Sequence, residues 1–382
     1  MTITVVGIGA DGWAGLPETS RQVLRTAEVI MGSRRQLDLL TWDVPGERLA
    51  WPSPMLPALP SLFEAHRDRR IAVLASGDPM FYGIGTTLVK RFGVERVRVL
   101  PHPSSVSLAC ARLGWPVEET DVLSLVGRPL ALLNALMQPG RRLLVLGGSV
   151  ADVTSLVADR GTVTVLSSLG GPHESRSPHA HGLHVIAIAV TGGPWRAAVP
   201  GLPDDAYEHD GQLTKREIRA ITLAQLAPAP GQLLWDVGAG AGSVGIEWMR
   251  AHRSCRCIAI ESDAERAARI AVNAASLGVP DLSVVHGTAP SALAGLTAPD
   301  AIFVGGGASA SGVLARCWSS LTPGGRLVVN AVTVESEAVL VDWHARVGGD
   351  LTRIHIQRAT PVGGFTGWRP AMPVTQWVAV KG

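Results

Sequence analysis

Residues 233–248, LLWDVGAGAGSVGIEW, constrain the fold more than any other stretch of this chain. The apolar run reads as a buried strand ending at Asp236; Gly238, Gly240 and Gly242 follow at alternate positions, and a helix starts at once. Glycines spaced in this way let the backbone turn tightly and let a ligand lie against it. Glu261 closes the next predicted strand, in IAIES. Open α/β sheets bind ligands outside the carboxyl ends of their strands, where a carboxylate can accept both hydroxyls of a ribose. A tight turn beside an incidental acid is the bland alternative. The order strand, glycine turn, helix, strand, acid speaks against it.

Spacing alone leaves the nucleoside open. Gly240, Gly242 and Gly245 also satisfy the dinucleotide pattern G-x-G-x-x-G, which admits an NAD-dependent dehydrogenase. Asp236 argues for S-adenosylmethionine, whose pattern is D-x-G-x-G-x-G. A carboxylate there can engage the sulfonium end of that ligand, and it would repel a pyrophosphate. VVHGTAP (284–290) ends a third strand with small residues, including Thr288 and Ala289, suited to an adenine edge. AIFVGGG (301–307) ends a fourth over the same crevice. Outside the enzymes, the alternative is a non-catalytic nucleotide-sensing module.

The alternation of strands and helices runs through the whole chain. Strands are predicted over 3–8, 71–75, 97–100, 122–126, 143–146, 163–166 and 184–190, with helices over 19–27, 83–92, 104–113 and 151–159 between them. This is α/β with a largely parallel sheet in two lobes. Residues 191–213, rich in Gly, Pro and Asp, read as a linker or inter-domain loop. The pattern then restarts. Thr214 and Glu217 have capping-box spacing for a helix, and strands follow over 233–237, 257–260, 282–285, 301–304 and 326–330. A last pair, near 352–358 and 375–380, reads as an antiparallel hairpin at the sheet edge. The expected domains are therefore 1–200 and 201–382.

Composition bounds the function classes. With 382 residues, 46% hydrophobic and 17% charged, the chain has material for two full cores and is too apolar for disorder. A formal net charge of +2 gives no global pull toward nucleic acid or an anionic membrane. No apolar run approaches the ~20 residues that span a bilayer. Strand-like residues begin at Thr2, leaving no room for a signal peptide, so the expected setting is cytoplasmic. The 4 cysteines make no disulfide framework, and Cys255 and Cys257 alternate as core positions of a strand. His173, His179, His181 and His184 match no zinc template and read as a solvated loop, so no metal site is expected.

Three predicted strand ends in the first half carry small polar turns. VVGIGADGW (5–13) holds Gly7 and Gly9; LASGDPMFYGIG (74–85) holds Gly77, Asp78 and Pro79; PHPSSVSLACARLGW (101–115) places Ser104 and Ser105 at a helix start. One such turn is ordinary. Three in one domain point to a ligand trough.

On these motifs, residues 1–200 resemble the tetrapyrrole (corrin/porphyrin) methylase family, through VVGIGADG, ASGDPMFYGIG, HPSSVSLACARLGWP and SLVGRP. Residues 201–382 resemble the decarboxylating precorrin methyltransferase family, through GLPDDAYEHDGQLTKREIRA, DVGAGAGSVGIEW, AIESD and HGTAP. Ala10-Asp11 stands where many tetrapyrrole methylases have Pro-Gly, and Val126 where relatives often carry His. The resemblance implies a two-lobed tetrapyrrole-methylase fold followed by a class I, Rossmann-like methyltransferase fold. It implies two S-adenosylmethionine sites and one tetrapyrrole substrate, converted from precorrin-6B to precorrin-8X in cobalamin biosynthesis. The first half would methylate C5; the second would methylate C15 and remove CO2 from the ring-C acetate at C12. Carried over, the first cofactor site would use Gly9, Asp78, Pro79, Ser104 and Ser105. The second would use Thr214, Asp236, Gly238, Ala239, Gly240, Ala241, Gly242, Glu261, Thr288 and Ala289. His209 or Asp210, in the loop leading to the cofactor-binding helix, is expected to handle the decarboxylation proton or place the acetate. Lys215, Arg216, Arg219, Arg353 and Arg369 are expected to hold substrate carboxylates. Relatives imply a homo-oligomer, a dimer or tetramer.

Overall fold

The computed structural model describes residues 2–382 and divides into two units. One comprises the residues up to Leu130 with Met137–Gly193; the other comprises Ala131–Leu136 with Pro194–Gly382.

The first unit holds two five-stranded sheets. Strands β1 (Ile3–Ile8), β2 (Val29–Gly32), β3 (Glu47–Ala50), β4 (Ile71–Ser76) and β5 (Val97–Leu100) form one sheet in the order β3-β2-β4-β1-β5. All its pairings are parallel. Its central strands are apolar along their length because helices cover both faces, with Leu59, Phe63 and Leu88 on one side and Leu24 and Leu37 on the other. The second sheet contains β6 (Thr120–Ser124), β7 (Arg142–Leu146), β8 (Gly161–Ser167), β9 (Ser175–Ser177) and β10 (His184–Val190), ordered β6-β7-β10-β8-β9. Only β6 and β7 run parallel there, since β10 lies antiparallel between β7 and β8. The expected parallel arrangement therefore describes the first sheet and not the second. β2, β3, β9 and the helix Met55–Ala65, which carries Pro60 in its interior, have no counterpart in the sequence reading. Pro60 and the short, exposed strand β3 hide the periodicity there.

In the second unit β11 (Leu233–Val237), β12 (Arg256–Glu261), β13 (Ser283–His286), β14 (Ala301–Val304), β15 (Arg326–Ala331) and β16 (Asp350–Ile354) are joined by a late strand. Two further strands, β17 (Gln357–Val362) and β18 (Phe365–Pro370), form a separate antiparallel ribbon. β19 (Val374–Val380) then returns to the sheet, giving β13-β12-β11-β14-β15-β19-β16. The strands from β13 to β15 are parallel, and β19 is antiparallel to both its neighbours. This is the class I methyltransferase arrangement. The terminal pairing was expected as an edge hairpin; the ribbon separates its strands, and β16 rather than β19 is the edge. Strand order reverses between β11 and β14, so a crevice opens at their carboxyl ends. No helix among the described residues is long and apolar enough to cross a membrane.

Candidate functional site

Asp236 sits at that reversal and is buried, 1% exposed. Its Oδ2 accepts from the Gly245 amide at 2.9 Å, while Oδ1 is buried without a partner. Burial pushes the carboxyl up to about 7, against the pull of the Gly245 N–H. Gly245 itself has no space for a side chain, because a Cβ would lie 2.6 Å from Cys257 Sγ and 3.1 Å from Asp236 Oδ2. Its role is thus close packing of the helix Ser243–Ala251 over the strand end.

The turn between strand and helix is held on several sides. Gly238 has φ +68°, and a Cβ there would fall 2.8 Å from backbone atoms of Gly306, beyond β14. The Gly238 and Ala239 amides both donate to the Ile260 carbonyl, at 2.9 and 3.1 Å. Glu261, buried at the end of β12, accepts from the Gly240 amide at 2.8 Å through Oε2 and from the Asp263 amide at 3.0 Å through Oε1. The carboxylate therefore fixes the turn, and its remaining lone pairs are what it has for a ligand. Ala289 is half-buried beyond β13 and Thr288 beside it is exposed.

An irregular strap, residues 201–214, lies against this turn. The Ala241 amide donates to the Gln212 carbonyl at 3.2 Å. Asn273, buried on the helix Ala264–Ser276, accepts from the Glu208 amide at 2.8 Å and donates to the Glu208 carbonyl at 3.0 Å. Asp210 pairs with Arg266 at 2.7 Å and with Arg269 at 3.6 Å. The Arg266 hydrogen bond holds Asp210 down at about 2. His209 is exposed, and its Nδ1 accepts from the Gly211 amide at 3.0 Å.

The strap's root is a buried ionic knot. Glu247, on the helix after the glycine turn, accepts from the Gly201 and Leu202 amides, the Tyr207 hydroxyl and Arg219 Nε, at 2.6, 3.0, 2.8 and 2.6 Å. Arg219 is 0% exposed and also donates to the Thr214 carbonyl at 2.5 Å and to Asp204 at 3.2 Å. Each of its three guanidinium nitrogens donates to a protein partner, Nη2 to the Leu202 carbonyl, which removes it from the residues offered to substrate carboxylates. Thr214 does not cap the helix that follows it. The helix Arg216–Leu226 is capped by extended Lys215 with no side-chain hydrogen bond, and Glu217 is drawn away to Arg358. Arg353 is likewise engaged, by Glu337 and Thr375. Lys215, Arg216 and Arg369 remain exposed.

In the first unit, β1, β4 and β5 end side by side. A Cβ on Gly7 would lie 2.1 Å from the Gly77 carbonyl oxygen, and one on Gly77 3.2 Å from Ser104 Cα. Asp78 Oδ1 accepts from the Met80 amide at 2.8 Å and Pro79 is buried. Ser104 caps the helix Ser105–Leu113, accepting from the Ser107 amide at 3.1 Å, and Ser105 is exposed. A cavity of about 360 Å3 opens here, lined by Gly9, Asp11, His102, Pro103, Leu108 and Leu169 among others. The sequence marks Asp11 only as a departure from the family's Pro-Gly and gives neither His102 nor Glu247 a role. Asn273 left a faint sign, a poor helix former in the middle of a helical run.

With this geometry in view, residues 2–177 match the family of tetrapyrrole (corrin/porphyrin) methylases and residues 205–381 match a precorrin methyltransferase domain. A precorrin-6Y C(5,15)-methyltransferase [decarboxylating] of Sinorhizobium sp is 47% identical, over 100% of this chain and 96% of that protein. One of the same name from Mycobacterium tuberculosis is 46% identical over 99% of this chain and 100% of its own. A cobalt-precorrin-7 C(5)-methyltransferase of Salmonella typhimurium is 39% identical over 33% of this chain and 62% of its own.

Proposed function

The chain belongs to the family of decarboxylating precorrin-6Y C(5,15)-methyltransferases, and from that membership we propose how its two units divide the work. The chain is an S-adenosylmethionine-dependent methyltransferase of cobalamin biosynthesis that methylates a precorrin and removes CO2. The first unit transfers a methyl group to C5. The second transfers one to C15 and removes the C12 acetate carboxyl, taking precorrin-6B to precorrin-8X. Each unit has its own cofactor site. One observation supports this division above the rest: each of two methyltransferase families matches one half of the chain, and each half carries positive-φ glycines in the turns that follow its parallel strands.

The residues of the second trough fit the cofactor. Asp236 has a buried oxygen without a partner among the described residues, and the turn from Gly238 to Gly242 follows it directly at the strand end. Asp236, Glu261, Thr288 and Ala289 would hold the group with the turn, and in the first unit Gly9, Asp78, Pro79, Ser104 and Ser105 would do so. When bound, the cofactor supplies an electrophilic methyl. The protein's part is alignment and exclusion of water, which are worth several kcal/mol in a bimolecular transfer. Decarboxylation also needs a proton source. Asp210, held ionised by Arg266, is unsuited to give one near neutral pH. It anchors the strap instead, and His209 beside it is our proposed donor. Lys215, Arg216 and Arg369 are offered to the substrate carboxylates.

Calorimetry of the full chain with S-adenosylhomocysteine tests the two-site reading, with two equivalents expected and a single equivalent sinking it. Product mapping by NMR with a labelled methyl donor tests the chemistry. A product carrying new methyls at positions other than C5 and C15 would refute the assignment.

A further inference from the structure

Two titratable side chains line the cavity of the first unit, and they face each other. His102 lies just after β5 and is 9% exposed. Its Nε2 is 3.3 Å from Asp11 Oδ1, in the turn after β1. The pair converges on Gly9. A Cβ there would lie 2.5 Å from Asp11 Oδ1 and 2.7 Å from His102 Nε2, so only glycine leaves the pair its place. Among the described residues neither Asp11 Oδ1 nor His102 Nδ1 has a hydrogen-bond partner, so the two side chains meet as a charge contact. The remaining walls, among them Pro17, Pro103, Leu108 and Leu169, are apolar. Buried polar atoms without hydrogen-bond partners, such as His102 Nδ1 and Asp11 Oδ1, are costly to keep and need an explanation.

Proton balance supplies one. A meso carbon that takes a methyl group still carries its hydrogen, and the conjugated macrocycle then bears a positive charge. The C–H bond must break, its electron pair returning to the ring system and its proton going to a base. Of the other residues offered for this site, Gly9, Pro79, Ser104 and Ser105 are not bases. Asp78 already turns its Oδ1 to the Met80 amide. Imidazole paired with a carboxylate is the usual device for this task. We propose that the Asp11–His102 pair accepts the proton released from C5. The imidazole takes the proton, the Asp11 carboxylate 3.3 Å away offsets the charge it gains, and the proton then leaves to solvent past Asp11, which is partly exposed. This rests on the reading that the first unit methylates C5.

The test uses full-length His102→Gln and Asp11→Asn with substrate deuterated at C5, products mapped by NMR. Both variants are expected to slow C5 methylation at least tenfold and to show a primary isotope effect on what remains, while C15 methylation and CO2 release continue. Binding of S-adenosylhomocysteine by calorimetry is expected to stay within twofold of the parent. Asp11→Asn is the safer variant, because Asp11 is at the cavity mouth and His102 is packed. A C5 rate within twofold of the parent in both variants, or a slowed rate with no isotope effect, overturns the proposal. Gly238→Ala, which disables the other trough, separates the two levels. If it abolishes C5 methylation, the division of labour falls, and the proposal with it.

Discussion

The Asn273 side-chain amide donates to the Ala241 carbonyl at 3.0 Å, and the same side chain grips Glu208. One buried residue on the helix after β12 therefore ties the glycine turn to the strap that carries His209. Changing Asn273→Asp keeps an acceptor for the Glu208 amide but sets a carboxylate oxygen against two carbonyls. The expected cost is about 2–3 kcal/mol of stability, read by urea unfolding. Limited proteolysis should begin to cut near residues 208–212. An unchanged unfolding midpoint together with an intact strap would show that Asn273 is not the tie.

Asp236 predicts a pH signature. Its folded pKa, about 7, lies above the 3.8 of a free aspartate. Between those values the folded state holds a proton that the unfolded state has lost. Stability therefore falls as pH rises from about 4 to about 7, by up to a few kcal/mol, and levels off above that. Asp236→Asn should flatten this window in a thermal melt series. Cofactor binding should strengthen over the same rise, since a cationic ligand favours the ionised carboxyl. Equal calorimetric affinities at pH 6 and pH 8 would contradict it.

Gly238→Ala puts a methyl 2.8 Å from the Gly306 backbone at a positive φ. Backbone cannot retreat as a side-chain tip can, so the turn is expected to lose cofactor binding while the first unit's chemistry persists. A C5-methylated product that has kept its acetate carboxyl should accumulate. Mass spectrometry showing CO2 loss at the parental rate would count against it.

Glu247 and Arg219 are both nearly inaccessible and joined at 2.6 Å. Glu247→Gln or Arg219→Met alone is expected to cost about 3–5 kcal/mol, because each strands a buried charge. The double variant should cost less than the two singles added. Strict additivity in denaturant unfolding would rule out coupling between them.

Much of the second unit can be read from sequence because its signals are local. Leu233–Val237, the alternate glycines and Glu261 each owe their position to one turn's geometry. What could not be read depends on partners far along the chain. Thr214 has capping-box spacing, yet its carbonyl is taken by Arg219 and Glu217 pairs with Arg358. Arg219 looked like a surface clamp, although 219, 222, 223 and 226 fall on one helical face and all are buried. A charge on an apolar stripe pointed inward, and only the acid that meets it, 28 residues later, was missing from the local pattern. His102 lies inside a motif that carries the family resemblance, yet nothing local pairs it with Asp11, which faces it from a different strand end.

The position of β19 has a consequence for how the second unit is made. β16 touches the sheet through β19 alone, and β19 is synthesised after both strands it separates. During translation β15 therefore presents an open edge, and Asp350–Ile354 has no neighbour until Val374–Val380 slides in. Bare edges of that kind invite pairing with other chains. A nascent chain stalled before residue 374 would be the species most prone to aggregate.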